Sequence, residues 1–214
     1  MKQPDREQTA SEELANSLTH GIGLALSVAC LVLLVVLAAL KGTAWHVASC
    51  SVYGATLVLL YAASTCYHGV RSPRAKRVWN AIDHSAIYLL VAGTYTPFVL
   101  VTLRGALGWT IFGVVWGFAL AGILFQNIFL NRFQVFSLLT YLAMGWMAMA
   151  MLPRLLQCLP RAGLVWLFAG GLCYTLGIAF FAWKRQPYAH AVWHVFVLAG
   201  SLCHFFGILF FVVL

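Results

Sequence analysis

Long apolar runs, separated by short polar or charged breaks, dominate the chain. Each run is continuous over about 20 residues, the length that an α-helix needs to cross the hydrocarbon core of a bilayer. The runs lack the alternation over about ten residues that is typical of membrane β-barrels. The pattern therefore predicts an all-α integral membrane protein, a seven-transmembrane helix bundle with spans near residues 20–40, 45–68, 83–103, 108–130, 133–152, 163–183 and 190–213.

The composition leaves little of the chain for a domain outside the bilayer. Hydrophobic residues make up 63% of the 214 residues, charged residues make up 8%, and the mean hydropathy is +0.90. We predict that residues 1–19 form a cytoplasmic N-terminal segment and that residues 20–214 form a single seven-helix transmembrane domain. The first run follows an acidic stretch and is longer than the hydrophobic region of a secretory signal, so we interpret it as a retained span.

The basic residues indicate the orientation, because Lys and Arg in short loops stay on the cytoplasmic side. This rule predicts a multi-pass protein of the cell (inner) membrane with a cytoplasmic N-terminus. Topology and anionic lipid headgroups then account for the net charge of +8, and no nucleic-acid partner is needed. The cytoplasmic set would be Lys2, Arg6, Arg71, Arg74, Lys76, Arg77, Arg132, Lys184 and Arg185, and the outer set Lys41, Arg104, Arg154 and Arg161.

Ionisable residues in or beside the apolar runs are costly in a membrane, and they usually face a bundle interior. Asp83 is the only carboxylate after Glu13, and it begins the third predicted span. His68 ends the second span, and His190 and His194 begin the last one. On the predicted topology, three helices bring these four side chains to the cytoplasmic edge of the membrane.

The spacing of these residues agrees with a shared metal ion. His190 and His194 are four residues apart, as are Ser64 and His68, so the members of each pair lie on one helix face. A helical His pair also arises by chance, and it could lie among lipid headgroups. Three imidazoles with one open position are the ligands of a catalytic zinc, and an all-imidazole set favours zinc over copper or iron.

A carboxylate beside such a zinc has a clear chemical use. Zinc lowers the pKa of a water to about 7, and a nearby carboxylate could accept its proton. We therefore predict that Asp83 is the catalytic base. The alternative is an ion pair between Asp83 and Arg77 or Arg74.

Four segments carry a family resemblance that spans nearly the whole chain. They are "EELANSLTHGIG" (12–23), "STCYH" (64–68), "DHSAIYLLVAGTYTPF" (83–98) and "HAVWHVFVLAGSLCHF" (190–205). With these segments the chain resembles the hemolysin III proteins, which belong with the progestin and adipoQ receptors, including the adiponectin receptors, and more distantly with the alkaline ceramidases. The resemblance implies zinc ligands at His68, His190 and His194, a water-mediated zinc contact at Asp83, and a matching serine at Ser64.

Four further histidines have separate expectations. His20, with Glu13 and Asn16 before it, has either a pocket role beside the metal or a place in an interfacial cluster at the helix start. His204 lies about 15 Å deeper than His194, at 1.5 Å per residue, so we expect it to form hydrogen bonds in a cavity. His84 is turned about 100° from Asp83 and is expected to face elsewhere. We expect His46 to lie at the membrane interface, and no further role is needed to explain it.

The chemistry predicts hydrolysis of an amide or ester bond of a membrane lipid, with Ser64 orienting the water or the carbonyl. A non-enzymatic sensor or receptor of membrane state, with a structural zinc and a lipid ligand, is the alternative. A pore-forming cytolysin is a third possibility, which the sequence supports poorly because no span has a sustained polar stripe. The substrate and the oligomeric state stay open.

Overall fold

The computed structural model of the chain describes residues 8–129 and 134–214, and over these residues it is helical without strands. Seven of its helical segments are long and apolar enough to cross a membrane, which confirms the predicted number of spans. Part of the predicted segment 1–19 and the basic residues Lys2, Arg6 and Arg132 lie outside the described residues.

Eight α-helices and three short non-α turns make up the seven spans. The helices are α1 (Ala10–Lys41), α2 (Ala44–Gly69), α3 (Pro73–Pro97), α4 (Ala106–Ile128), α5 (Gln134–Trp146), α6 (Leu152–Cys158), α7 (Arg161–Ala182) and α8 (Ala189–Ile208). A 3₁₀ turn, Met147–Met151, joins α5 to α6 within the fifth span, and π-helical turns extend α3 and α8 over Phe98–Thr102 and Leu209–Val213.

The first helix begins ten residues before the predicted start of its span. Thr9 caps it, because the Glu12 amide donates to the Thr9 hydroxyl at 3.3 Å and the Thr9 amide donates to the Glu12 carboxylate at 2.8 Å. This reciprocal pair satisfies two of the amides that a helix start leaves without partners. The polar residues from Glu13 to His20 are therefore helical.

The third helix also begins early, at Pro73 rather than near residue 83. Proline suits the first turn of a helix, where its missing N–H costs no hydrogen bond. Asp83, which we expected at the start of this helix, therefore lies about three turns inside it. The basic residues before Asp83 belong to the same helix.

The second and third helices form the centre of the bundle. In their most apolar windows 56% of α2 and 67% of α3 is buried, against 17% of α4 and of α7. Gly93 of α3 lies so close to Thr56 of α2 that a Cβ at Gly93 would overlap the threonine side chain. On the outer helices, exposed side chains such as Leu124 and Val165 are apolar, as a lipid-facing surface requires.

Candidate metal centre

Three imidazoles meet at the end of the bundle where α1 begins. His68 lies in the last turn of α2, and His190 and His194 lie in the first two turns of α8. One possible ligand atom from each ring lies within 4.8 Å of the other two, so the three histidines could hold one metal ion. The sequence-predicted ligands are therefore brought together, although α2 and α8 are far apart in the chain.

The Nε2 atoms of these rings are the available ligand atoms. Each of the three is buried and makes no hydrogen bond within the described part of the chain. A buried polar atom without a partner costs about 1–3 kcal/mol, so three of them at one place need a common explanation. Convergent neutral imidazole nitrogens fit a divalent transition metal such as zinc.

Glu13 orients the His68 ring from α1. The Nδ1–H of His68 donates to a Glu13 carboxylate oxygen at 2.7 Å, and Lys76 of α3 forms an ion pair with the other oxygen. A proton held on Nδ1 leaves the Nε2 lone pair directed at the metal position, which is the usual way in which a carboxylate supports a metal-binding histidine. Side chains from α1 and α3 thus support the ligand from α2.

The first helix also orients His194. Its Nδ1 lies 3.2 Å from the backbone oxygen of Asn16 and 3.2 Å from the hydroxyl of Thr19. Donation from Nδ1–H to the Asn16 carbonyl again leaves Nε2 free. Thr19 and Lys76 were not identified from the sequence as residues of the site. The only indication for Thr19 was its position three residues after Asn16, which places both on the same side of α1.

His20 lies inside the bundle rather than at an interfacial cluster. Its ring stacks on His194, with centroids 3.4 Å apart and planes 14° from parallel, and Tyr61 packs edge-on against it at 5.0 Å. Only 2% of His20 is exposed. This position favours the pocket role of the two that the sequence left open.

Asp83 and Ser64 are buried beside the cluster. Their carboxyl and hydroxyl groups interact, but the Ser64 hydroxyl makes no hydrogen bond of normal length within the described residues. No ion pair of Asp83 with Arg74 or Arg77 occurs in the part of the chain that the structure describes. The described side chains that are close enough to share an ion are the three histidines, and Asp83 is not among them.

Two chambers meet at Asp83. One is polar, with a volume of about 590 Å³, and has Glu13, Lys76 and Lys184 in its wall. The other is an apolar cavity of about 160 Å³ that runs along α3 from Asp83 to Phe98. Because one water needs only about 10–15 Å³, the apolar cavity has room for a much larger group. The residues that line both chambers are Asp83, His84, Ile87, Phe181 and Trp193.

His84, which we expected from the sequence to face elsewhere than Asp83, is also among the residues that line the two chambers. The Nδ1–H of His84 donates to the Asn80 backbone oxygen at 2.9 Å, which holds the ring along its own helix. His46, in contrast, caps α2 through Thr43 and takes no part in the site.

The Glu13 contact gives a first prediction. If the three histidines bind a metal, Glu13→Gln is expected to weaken the binding of added zinc by about 10–100-fold, the usual cost of changing an outer partner of a metal-binding histidine, because the amide can accept from Nδ1–H but lacks the charge of the carboxylate. Competition with a chelator of known affinity measures the change. Lys76→Gln is the matched control: it removes the ion pair but keeps the contact to His68, so it should weaken binding less. Equal zinc affinity in parent and Glu13→Gln would contradict the assigned role.

The comparisons with known proteins cover the same residues. A family model described as Haemolysin-III related matches residues 8–205. Hemolysin-3 of Bacillus cereus is 46% identical over 191 residues, which is 89% of this chain and 87% of that protein. A hemolysin-3 homolog of Bacillus subtilis strain 168 is 46% identical over 190 residues, 89% of each chain. The human monocyte to macrophage differentiation factor is 29% identical over 195 residues, 88% of this chain and 79% of that protein.

Proposed function

The chain belongs to the Haemolysin-III related family, and from that premise we propose that it is a zinc-dependent membrane enzyme that hydrolyses an amide or ester bond of a membrane lipid. The observation that carries the proposal is the position of Asp83. This buried carboxyl lies beside three histidines with free Nε2 atoms and lines both the polar chamber and the apolar cavity. A lipid whose headgroup occupies the polar chamber and whose acyl chain occupies the cavity has its carbonyl between them.

The metal fits the residues that are present. His68, His190 and His194 would hold zinc, because their orphaned Nε2 atoms converge and their outer nitrogens are held by α1. When bound, zinc supplies a Lewis acid that polarises a carbonyl and makes water a better nucleophile. Because the imidazoles are neutral ligands, a bound ion would keep its positive charge beside Asp83.

The chain's own residues then handle the proton. The Asp83 carboxylate accepts a proton from the water that adds to the carbonyl carbon, and it returns this proton to the leaving amine or alcohol as the C–N or C–O bond breaks. Ser64, whose hydroxyl interacts with the Asp83 carboxyl, orients the water or the carbonyl oxygen. The apolar wall of the cavity limits the access of bulk water to the acyl side.

Orientation in the membrane is part of the proposal. The basic segment from Arg71 to Arg77 lies at the same end of the bundle as the three histidines. By the positive-inside rule this end faces the cytoplasm, so the site would take lipid from the inner leaflet of the cell membrane.

Metal removal tests the enzyme directly. The purified protein, loaded with zinc in bilayer nanodiscs that contain ceramide and phospholipid, is expected to release free fatty acid, measured by mass spectrometry. Chelation should lower the rate by at least about a hundredfold, because metal activation contributes several kcal/mol, and zinc should restore it. The absence of any released acid at full zinc occupancy would reject the enzyme.

The same chelation experiment, followed by melting temperature as well as by fatty-acid release, addresses the second candidate, a sensor or receptor with a structural metal. The supports of the site come from α1, α2, α3 and α8, so a metal there would hold four helices together. On this account chelation lowers the melting temperature without removing any activity. Saturating zinc at 100 times its Kd would contribute about 2.7 kcal/mol to the free energy of unfolding.

A further inference from the structure

Beyond the metal end, His204 is the one described residue along the cavity with a buried side-chain polar atom that has no hydrogen-bond partner. His204 of α8 is 7% exposed and lines the apolar cavity, and its Nδ1 makes no hydrogen bond within the described residues. Leaving such an atom unpaired costs about 1–3 kcal/mol. The described residues supply no partner for this nitrogen, and the cavity that His204 lines is where a ligand could supply one.

Neighbouring polar side chains are already engaged elsewhere. Tyr174, on which the His204 ring stacks, contacts the Ser201 hydroxyl at 3.0 Å, and Tyr61 donates to the same hydroxyl at 2.9 Å. Trp146 donates to Thr175 at 3.0 Å. None of these hydroxyl or indole groups forms a hydrogen bond with His204, although the Tyr174 ring is in contact with it.

A lone water is a poor partner at this position. A buried water needs two to four polar partners, and the wall of this cavity is mostly apolar, with side chains such as Phe168 and Val197. An oxygen carried on an apolar ligand is a better partner than a water, because the rest of the ligand gains apolar contact with the same wall. The site suits an apolar chain that carries one hydrogen-bonding oxygen.

We propose that His204 binds an oxygen substituent on the acyl chain of the ligand, and that the cavity selects mid-chain oxygenated acyl groups over plain ones. The inference rests on the proposed function in taking the carbonyl end of the chain to lie at the three histidines. Ten residues of α8 separate His194 from His204, a rise of about 15 Å. With C–C bonds of about 1.5 Å, that distance corresponds to roughly a dozen carbons of an extended chain.

Free fatty acids test the preference without any hydrolysis. The probes are octadecanoic acid, 3-hydroxyoctadecanoic acid and 12-hydroxyoctadecanoic acid, bound to the zinc-loaded full-length protein in nanodiscs and measured by native mass spectrometry. The parent should bind the 12-hydroxy acid about three- to tenfold more tightly than the plain acid, the worth of one neutral hydrogen bond. The 3-hydroxy acid should show no such gain.

Substitutions assign the preference to the residue. His204→Phe keeps a ring against Tyr174 and should bind all three acids with equal affinity, whereas His204→Asn keeps a polar atom near the Nδ1 position and should retain part of the preference. His46→Phe, a histidine outside the cavity, is the matched control and should behave as the parent.

Equal affinities in the parent, or a preference that survives His204→Phe, would overturn the inference while leaving hydrolysis untouched. If the parent bound none of the acids, the acyl cavity of the proposed function would fail, and the inference would fall with it. A preference that persists in Asp83→Asn, where catalysis should be lost, would support the inference independently of turnover.

Discussion

His194→Ala is expected to abolish stable zinc binding, which would reduce the metal content of the purified protein from about one ion per chain to near zero. The loss should exceed the about 10–100-fold effect of losing an outer partner, because two imidazoles cannot complete the site. Inductively coupled plasma mass spectrometry of the purified protein measures the metal content.

Melting temperatures separate loss of metal from loss of fold. If the folded protein binds zinc as proposed, chelation should lower the melting temperature of the parent but not that of His194→Ala. The ring also stacks on His20, so the variant should start from a somewhat lower value. His46→Ala removes a histidine that caps α2 outside the site, and it should keep both the metal and the chelation effect. Full zinc content in His194→Ala would contradict the assigned ligand.

Asp83→Asn has the second largest expected effect, on chemistry rather than on metal. Removal of a general base typically costs about 10²–10⁴ in rate, so release of fatty acid should fall by that factor. The zinc content should stay near one ion per chain, because Asp83 is not among the side chains that could share the ion. The amide has the shape of the carboxylate but accepts no proton at neutral pH.

Ser64→Ala provides a comparison within the same pocket. A role in orientation is worth about 0.5–1.5 kcal/mol, so this variant should lose no more than about tenfold in rate. Joint loss of zinc and activity in Asp83→Asn would make Asp83 a ligand rather than a base. Unchanged activity would remove it from the mechanism.

The three histidines could be predicted from the sequence because two arguments apply to them: spacing along a helix and the order of the spans. Helical spacing places His190 and His194 on one face, and the alternation of spans brings the end of α2 level with the start of α8. Neither argument gives the rotation of one helix against another. The contact of Glu13 with His68 and that of Thr19 with His194 depend on that rotation, so they required the structure.

The differences between the predicted spans and the observed helices have a physical cause. Hydropathy marks where apolar side chains begin, whereas a helix begins where its first amides find partners, as at Thr9 and Pro73. The helices α1 and α3 therefore extend beyond their apolar cores. The sequence placed His84 by an angle on a single helix, whereas each chamber is formed by several helices, and His84 lines the same two chambers as Asp83.

The dependence of the site on both ends of the chain has a consequence for biosynthesis. Two of the three histidines lie on α8, the last helix, and their partners Asn16 and Thr19 lie on α1, the first. Spans emerge from the ribosome in chain order, so a nascent chain with six spans has His68 and Glu13 but no complete site. On the proposed metal site, the ion could be bound only after the seventh span inserts, so metal uptake would follow the insertion of all the helices that form the site.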